Sequence, residues 1–328
     1  DELAERKELQ FVNHSVKETL DGDKVIVQID IREGRKTFIE RINVVGNNVT
    51  NESVIRGELI VDEGDPFSEL LVNKSVNKIK ARNIFGSVKY KVLPGSKPNN
   101  SIIEIEVDEK PTGEIAAGAG VGTEGTSFNF YVTENNWLGR GVRVKASADI
   151  TEESIRGVID VTNPNYNYTG NALTTSLDIS ATDRTATTGY KSSRTGFGIG
   201  TSFEQYEDVY FSPSIDILHE KLEAESSASD NIKKMEGNYF NSNFTYGITL
   251  DKRNQSWQPT EGYKASFTQS LPLIQDSSSI FNTFNLTNYH DFSEDVIGSL
   301  KFQFRSVNGV DEDVRLSERQ YISSKRLR

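Results

Sequence analysis

The sequence predicts an α+β domain followed by an antiparallel transmembrane β-barrel, and three observations support this fold class. Helix-type spacing of apolar residues occurs only before about residue 90 of the 328-residue chain. From Thr112 onward the chain is rich in Gly, Ser, Thr, Asn, Phe and Tyr, and apolar residues alternate with polar ones. Such alternation indicates strands with one apolar face. Aromatic residues cluster near the ends of these segments, as they do at the membrane interfaces of barrels.

The first 36 residues contain one clear strand. Lys24–Arg32 alternates between apolar and polar residues, and Asp21-Gly22-Asp23 before it is typical of a hairpin turn. The stretch 11–20, on the other side of the turn, is ambiguous. Asp1-Glu2-Leu3 does not resemble a natural N-terminus. We therefore expect this hairpin to belong to a domain that is truncated.

Residues 37–111 predict a strand, two helices and two further strands. Asn51 stands where a helix N-cap is expected, and Asn83 follows the second helix as a residue that tolerates a left-handed backbone. The predicted elements are the strand Thr37–Val45, the helices Asn51–Leu59 and Glu69–Arg82, and the strands Val88–Leu93 and Ile102–Val107.

This order of elements resembles a POTRA (polypeptide-transport-associated) domain, although another small α+β domain would share it. The matching residues are Ile42, Val44, Gly46, Asn47, Gly64, Asp65, Pro66, Phe67, Asn83, Ile84, Phe85 and Val88. The resemblance implies structural roles for Gly46, Asn47, Pro66, Phe67, Asn83 and Phe85. Asn83 stands where the family usually has Gly. The resemblance also implies that residues 1–36 are the C-terminal hairpin of a truncated preceding POTRA domain.

Eleven alternating segments follow, each about long enough for a tilted strand to cross a bilayer. A soluble β-sandwich would also alternate. Aromatic residues near the strand ends favour the membrane, namely Trp137, Tyr166, Tyr168, Trp257 and Tyr263. The segments are roughly 113–122, 125–134, 142–150, 155–162, 172–183, 192–204, 208–220, 237–250, 262–271, 281–292 and 296–307.

Composition argues against several classes of function. The formal net charge of -11 does not suit nucleic-acid binding, which needs concentrated positive charge. The chain has no cysteine, three histidines far apart in sequence and no phosphate-binding loop. Glu152-Glu153 lies in a predicted turn, where a solvated pair is expected rather than an acid–base site. We therefore expect no enzyme, no catalytic residue, no cofactor and no metal site. No apolar run of about 18 residues predicts a transmembrane helix.

Four stretches resemble the BamA family, the outer-membrane β-barrel assembly insertases. The resemblance covers residues 37–328 well and 1–36 in part. Its third stretch matches the end of the fourth barrel strand, and its fourth stretch matches the eighth hairpin. The Asn-Trp-Leu-Gly turn in the second stretch also has a simpler interpretation as an ordinary turn with an interfacial Trp. The stretches are Val107–Gly113, Gly118–Gly125 with Glu134–Gly139, Val161–Tyr166, and Leu250–Arg253 with Pro259–Tyr263.

The resemblance implies a function in the outer membrane of a Gram-negative bacterium, with the POTRA domain in the periplasm. Proteins of this family fold and insert β-barrel proteins without a nucleotide. The implied partners are unfolded outer-membrane β-barrel clients, accessory lipoproteins, periplasmic chaperones and outer-membrane lipid. One alternative is a related translocation transporter of the TamA-like or two-partner secretion type. A more distant alternative is a passive porin or receptor.

The first predicted barrel strand consists largely of small residues. In the family this strand forms a lateral gate with the last strand, and its edge templates the incoming client strand by β-augmentation. Glycine weakens a strand and permits close backbone approach, which suits such a gate, although a strand seam relieved of crowding would have the same composition. The gate residues that the resemblance implies are Ile115, Ala117, Gly118, Ala119, Gly120 and Val121.

Three residues are predicted to face the barrel lumen as anchors. Asp251 and Arg253 lie two apart on the polar side of a strand, which favours an inward ion pair over catalysis. Bacterial single-chain barrels have an even number of strands, so eleven segments predict an incomplete barrel in residues 112–328, about eleven strands of a family barrel of about sixteen. Leu327-Arg328 resembles the start of the family's inward-folding loop motif after the eleventh strand, with Arg328 as the anchor.

Overall fold

The chain forms two compact units. The computed structural model describes residues 12–21, 24–33, 37–122, 125–255, 258–275, 279–293, 296–310, 313–314 and 319. The first unit comprises the residues up to Pro111 together with Leu138–Gly141, and the second comprises Thr112–Trp137 and the residues from Val142 onward. No helix in the described part of the chain is long and apolar enough to cross a membrane.

The first unit begins with an antiparallel hairpin of strands β1 (Val12–Asp21) and β2 (Lys24–Glu33). Asp21 lies opposite Lys24 in this pairing. The ambiguous stretch before the turn is a strand. Val25, Val27 and Ile29 share one face of β2, and each is more than half exposed.

The second part of this unit has the predicted order of one strand, two helices and two strands. The elements are β3 (Phe38–Val45), α1 (Glu52–Arg56), α2 (Glu69–Ala81), β4 (Phe85–Pro94) and β5 (Asn100–Glu109). The sheet order is β3-β5-β4, with β3 parallel to β5 and β4 antiparallel to it. Both helices carry buried residues that join the sheet in one core.

Two helix predictions differ in detail from the structure. Helix α1 has five residues rather than nine, and the side chain of Asn51 makes no cap hydrogen bond. Asn51 is therefore the N-cap residue as predicted, but its backbone carbonyl and not its side chain accepts a hydrogen bond, from the N–H of Val54. Ser68 caps α2 by accepting the N–H of Leu71. Asn83 has φ 55°, the left-handed conformation predicted for the residue after α2.

The core of the first unit lies between the sheet and the two helices. Seven isoleucines in it are at most 1% exposed: Ile39, Ile42, Ile55, Ile79, Ile84, Ile103 and Ile105. Burying such a side chain stabilises the fold by about 1.5–3 kcal/mol. Gly46 closes β3 with φ 92°, and a Cβ there would overlap the carbonyl oxygen of Val107. The backbone of β3 can therefore approach β5 only if this residue is glycine.

The second unit contains one antiparallel sheet of eleven strands in simple sequential order. Its strands are β6 (Gly113–Gly122), β7 (Gly125–Trp137), β8 (Val142–Thr151), β9 (Ser154–Asn163), β10 (Ala172–Arg184), β11 (Tyr190–Tyr206), β12 (Val209–Ala224), β13 (Gly237–Asp251), β14 (Gly262–Gln275), β15 (Ser279–Ser293) and β16 (Val296–Gly309). All eleven predicted segments are confirmed, and most strands are one to four residues longer. A short helix α3 (Asp230–Lys233) lies in the long polar connection before β13.

Each strand of this sheet has an apolar face and a polar face. Phe128, Ile179 and Phe302 lie on the apolar face and are about half exposed, at 54%, 51% and 54%. Of the described hydrophobic residues that are buried, only Leu222 and Ala228 belong to this unit. A β-sandwich would bury this face under a second sheet. An apolar face left open to its surroundings is instead typical of a sheet that contacts lipid.

Gly46 is expected to stabilise the first unit for two reasons: it adopts a positive φ without strain, and it leaves room for the carbonyl oxygen of Val107. Gly46→Ala should destabilise it by about 3 kcal/mol or more, because the methyl group adds an overlap to the strain of a positive φ. Gly64→Ala is the matched control: its φ is 100°, yet no atom lies within 4 Å of its Cβ position. Hydrogen exchange of α2 amides measures both variants, and equal losses of protection would contradict the overlap.

Candidate functional site

Strand β6 is one edge of the described part of the eleven-stranded sheet and pairs there with β7 alone. Its side chains leave the edge open. Ile115 is 71% exposed and Val121 is 87% exposed. Between them lie only Ala116, Ala117, Gly118, Ala119 and Gly120. The structure therefore brings the six residues predicted for the gate strand onto one accessible edge.

The backbone of β6 directs alternate residues toward this edge. The carbonyl of Thr112, just before the strand, accepts the N–H of Asn135 with an N···O distance of 3.2 Å. Because antiparallel pairing alternates, the even-numbered residues of β6 bond to β7. The N–H and C=O groups of Ile115, Ala117, Ala119 and Val121 consequently point away from β7. These groups are available to a further strand.

The polar face of β6 carries almost no side chain of its own. Gly118 lies opposite Asn129, and Gly120 lies opposite Ser127. A Cβ on Gly118 would overlap Oδ1 of Asn129, so the carboxamide of Asn129 lies over the β6 backbone. Ser127 donates its hydroxyl to the carbonyl of Gly120 at 3.4 Å. The polar surface beside the edge is therefore supplied by β7.

Asp251 and Arg253 form a two-pronged ion pair at the end of β13. Nε and Nη2 of Arg253 each donate to a carboxylate oxygen of Asp251 at 2.7 Å. Lys264 lies 3.5 Å from the same carboxylate. The side chains of Arg253 and Asp251 are 15% and 20% exposed. The pair connects the end of β13 to the turn before β14, and Asp251 lies on the polar face by its position in the strand.

The Asn-Trp-Leu-Gly motif is more than a simple turn, because its last residues belong to the first unit. The carbonyl of Gly139 accepts the N–H of Asn51 at 2.8 Å. A Cβ on Gly139 would overlap the carbonyl oxygen of Val49, so glycine is required there. Nη2 of Arg82 donates to the carbonyl of Gly141 at 2.7 Å.

Arg82 is held by a buried partner in the same unit. Nη1 of Arg82 lies 3.4 Å from Oε1 of Glu58, and the two side chains are 10% and 11% exposed. Burial lowers the pKa of Arg82, and the charge of Glu58 opposes this shift. The sequence analysis missed both residues, since no local pattern connects Arg82 to Gly141 across 59 positions.

Glu109, in the linker motif, binds a row of backbone N–H groups. Its carboxylate accepts the N–H groups of Asn48, Val49 and Thr50 at 2.9, 2.9 and 2.6 Å. Burial alone would raise the pKa of Glu109, but these hydrogen bonds and the one from the Thr50 side chain outweigh it. The pKa of Glu109 therefore lies below its ordinary value. The linker end is thus tied to the loop after β3.

The predicted POTRA residues lie at the ends of elements. Gly46 and Asn47 follow β3, Pro66 and Phe67 precede α2, and Phe85 begins β4. Asn47 donates its side-chain amide to the carbonyl of Thr50, and Pro66 bridges to Phe38. Phe67 packs against the core, and Phe85 is part of it. Arg328 and Trp257 lie outside the described residues. No group of three or more potential metal ligands occurs among the residues that the structure describes.

The α+β unit and the eleven antiparallel strands with one exposed apolar face define a protein of the outer-membrane β-barrel class with a POTRA domain. A family model described as the Omp85 superfamily domain matches residues 136–328. A second, the POTRA model described as surface antigen variable number repeat, matches residues 37–110. The chain belongs to the Omp85 superfamily. Relatives named as outer membrane proteins, together with the POTRA match, confirm the predicted outer-membrane location with a POTRA domain in the periplasm.

A relative and two solved structures are similar to this chain. The outer membrane protein assembly factor BamA of Neisseria meningitidis serogroup B is 27% identical over 191 residues, which is 56% of this chain and 24% of that protein. The crystal structure of BamA from Haemophilus ducreyi lacking POTRA domains 1–3 has a TM-score of 0.68 and 19% identity, over 94% of this chain and 65% of that one. CdiB from Acinetobacter baumannii has a TM-score of 0.57 and 10% identity, over 98% and 61%.

The Asp251–Arg253 pair should contribute measurably to the stability of the second unit. Arg253→Ala should destabilise it by about 1.5–3 kcal/mol, because both hydrogen bonds to the carboxylate are lost. Lys252→Ala is the control, since its ion pair with Asp208 is exposed and should contribute at most about 1 kcal/mol. Urea unfolding in detergent, followed by the gel mobility of the folded form, measures both. Equal midpoints for the two variants would contradict the assignment.

The stability of the first unit should fall at acidic pH because of Glu109. A carboxylate with a depressed folded pKa stabilises the fold above its unfolded pKa of about 4.3, and this stability is lost as pH falls through the folded value. Glu109→Gln should therefore be less stable at pH 7 and lose less protection of α2 amides on acidification below about pH 4. Asp108→Asn, at the exposed neighbouring position, is the control. A wild-type acid response in Glu109→Gln would refute this role.

Proposed function

We propose that this protein folds and inserts β-barrel proteins into the outer membrane, by capture at the POTRA unit and strand addition at the edge of β6. One observation carries the proposal: β6 exposes a row of backbone donors and acceptors flanked only by small side chains. Such an edge is a template on which another chain can add a strand. No larger side chain between Ile115 and Val121 stands in the way.

The driving force would come from the client. An unpaired backbone N–H or C=O group costs several kcal/mol in the hydrocarbon of a bilayer. A client strand that pairs with Ala117 and Ala119 would satisfy its own groups and those of β6 together. No nucleotide would be needed for this exchange, and we propose that the protein is not an enzyme. The small residues of β6 reduce the side-chain contacts that must be broken when the strand separates again.

The first unit would present clients to this edge from the periplasm. Its three-stranded sheet has β3 and β4 as edges. The outer edge of β3 already bonds to residues of the same unit at Ile39 and Ile42, so β4 is the edge proposed to accept an added strand. We propose unfolded outer-membrane β-barrel proteins as its main partners, together with accessory lipoproteins, periplasmic chaperones and outer-membrane lipid. The relatives named outer membrane protein assembly factor BamA support this function. Because the chain spans 24% and 32% of those two relatives, the activity of the whole protein is a proposal.

A related translocation transporter is the second candidate. The fold of CdiB is similar over 98% of this chain, so the architecture by itself is shared more widely than by the assembly factors. The sequence favours assembly through the Val107–Gly113 linker and the Asn-Trp-Leu-Gly turn, and the structure gives both a defined set of contacts.

Reconstitution of the full-length protein in liposomes tests the proposal directly. An unfolded client barrel should insert at least about tenfold faster than into protein-free liposomes, because each 1.4 kcal/mol of stabilisation at the edge corresponds to a factor of ten. Insertion is followed by protease resistance of the client. Equal rates with and without the protein would overturn the assembly function.

The edge itself is tested by Ala119→Pro. Proline removes one edge-directed N–H without removing a hydrogen bond to β7, so client insertion should slow by about tenfold or more. Ala119→Val is the matched control, since it enlarges the side chain on the apolar face and keeps the N–H. A proline variant that folds and inserts clients at the wild-type rate would show that this edge is not the template.

A further inference from the structure

The strongest remaining feature is the carboxamide of Asn129, which lies across the neighbouring strand. Asn129 is exposed on the polar face of β7, opposite Gly118. Its Cγ and Nδ2 lie 3.3 and 3.6 Å from the position that a Cβ on Gly118 would occupy. No residue in the described part of the chain forms a hydrogen bond with this carboxamide. Its donor and acceptor are therefore available above the β6 backbone.

The pairing of β6 determines what this carboxamide would meet. Gly118 bonds to β7, so in an antiparallel pair with an added strand it would occupy a non-hydrogen-bonded position. Cα atoms in such pairs are about 4.5 Å apart, and their side chains approach more closely than at hydrogen-bonded positions. The residue of the added strand opposite Gly118 would project its side chain from the same polar face. Asn129 already extends over Gly118 toward that side.

Neighbouring positions show why position 118 is suited to this contact. At Ala116, the methyl group lies opposite Tyr131, whose hydroxyl donates to Glu114 at 3.0 Å. At Gly120, Ser127 already donates to the Gly120 carbonyl. At Gly118, by contrast, the overlying carboxamide of Asn129 forms no hydrogen bond with a described residue, so both its donor and its acceptor can contact an added strand.

We propose that Asn129 is a specificity-determining residue that hydrogen-bonds a polar side chain of the added client strand, across Gly118. The partner is an extended segment that carries an amide or hydroxyl side chain at the position opposite Gly118. This inference rests on the proposed function, since it assigns a side-chain contact to strand addition at β6. It adds a selective contact to the backbone pairing, which by itself would accept any strand.

Client insertion by the reconstituted full-length protein tests the contact. Asn129→Ala should slow insertion of clients with Asn, Gln, Ser or Thr at the facing position by about three- to tenfold. Because the register of the added strand is unknown, each polar-face residue of the client strand is changed to Ala in turn. One position should remove the effect of Asn129→Ala, as a double-mutant cycle requires of residues in contact.

Two further variants separate this contact from a structural role. Gly118→Ala should reproduce the loss with both groups still present, because the new methyl group displaces the Asn129 carboxamide. Ser147→Ala, on the polar face of β8 one strand farther from the edge, is the control and should leave insertion unchanged. Folding of each variant is checked by gel mobility, and Asn129→Ala should match wild type because its side chain is exposed.

The outcomes distinguish the inference from the function on which it rests. If Asn129→Ala inserts every client within twofold of the wild-type rate while Ala119→Pro is slow, the client uses backbone pairing alone and the inference is wrong. An equal loss for all clients, with no position that removes it, would also overturn the specific contact. If the wild-type protein itself fails to accelerate insertion, the proposed function fails first.

Discussion

The backbone hydrogen bond that an edge strand leaves unmade is the constraint on which the second unit depends. From β7 to β15 every strand has a neighbour on both sides, and only β6 and β16 lack one among the described residues. In hydrocarbon an unpaired backbone group is far more costly than in water. The sequential antiparallel order pairs the backbone groups of the inner strands on both sides. Unmade backbone hydrogen bonds remain at β6 and β16, and our proposal uses those of β6, whose side chains are small.

In β6, the residues whose side chains lie on one face also direct their backbone groups to one side of the strand. The residues on the apolar face, including Ile115 and Ala119, direct their N–H and C=O groups outward, whereas Gly118 and Gly120 on the polar face bond to β7. The residues whose side chains lie on the apolar face are therefore also the residues whose backbone groups can pair with a further strand. The polar face beside the edge is left to the side chains of the next strand. Gly118 has no side chain, and this allows the carboxamide of Asn129 to lie over the backbone of β6.

In the first unit, individual side chains satisfy backbone groups and charges that the sheet and helices leave without partners. Its core is fully buried, and a single carboxylate, Glu109, accepts three consecutive N–H groups in the loop after β3. Arg82 and Glu58 are both buried and lie close enough to compensate each other's charge. Removing one partner of such a pair leaves the other charge without compensation, so both residues constrain where Gly141 lies. These contacts make the linker and the Asn-Trp-Leu-Gly motif part of a defined structure.

Sequence alone determined the elements, because period-two alternation, helical spacing and turn residues are local signals that act over a few positions. It placed all eleven strands, the helix α2 and the left-handed Asn83, and its family motifs predicted the superfamily. It also predicted Asn51 as the N-cap of α1, although the side chain of Asn51 makes no cap hydrogen bond. Only the tertiary structure decided that Glu109 binds a loop about 60 residues away, that Arg82 reaches Gly141, and that Asn129 covers Gly118. Those contacts depend on how distant segments are brought together, and no local pattern of residues encodes that distance.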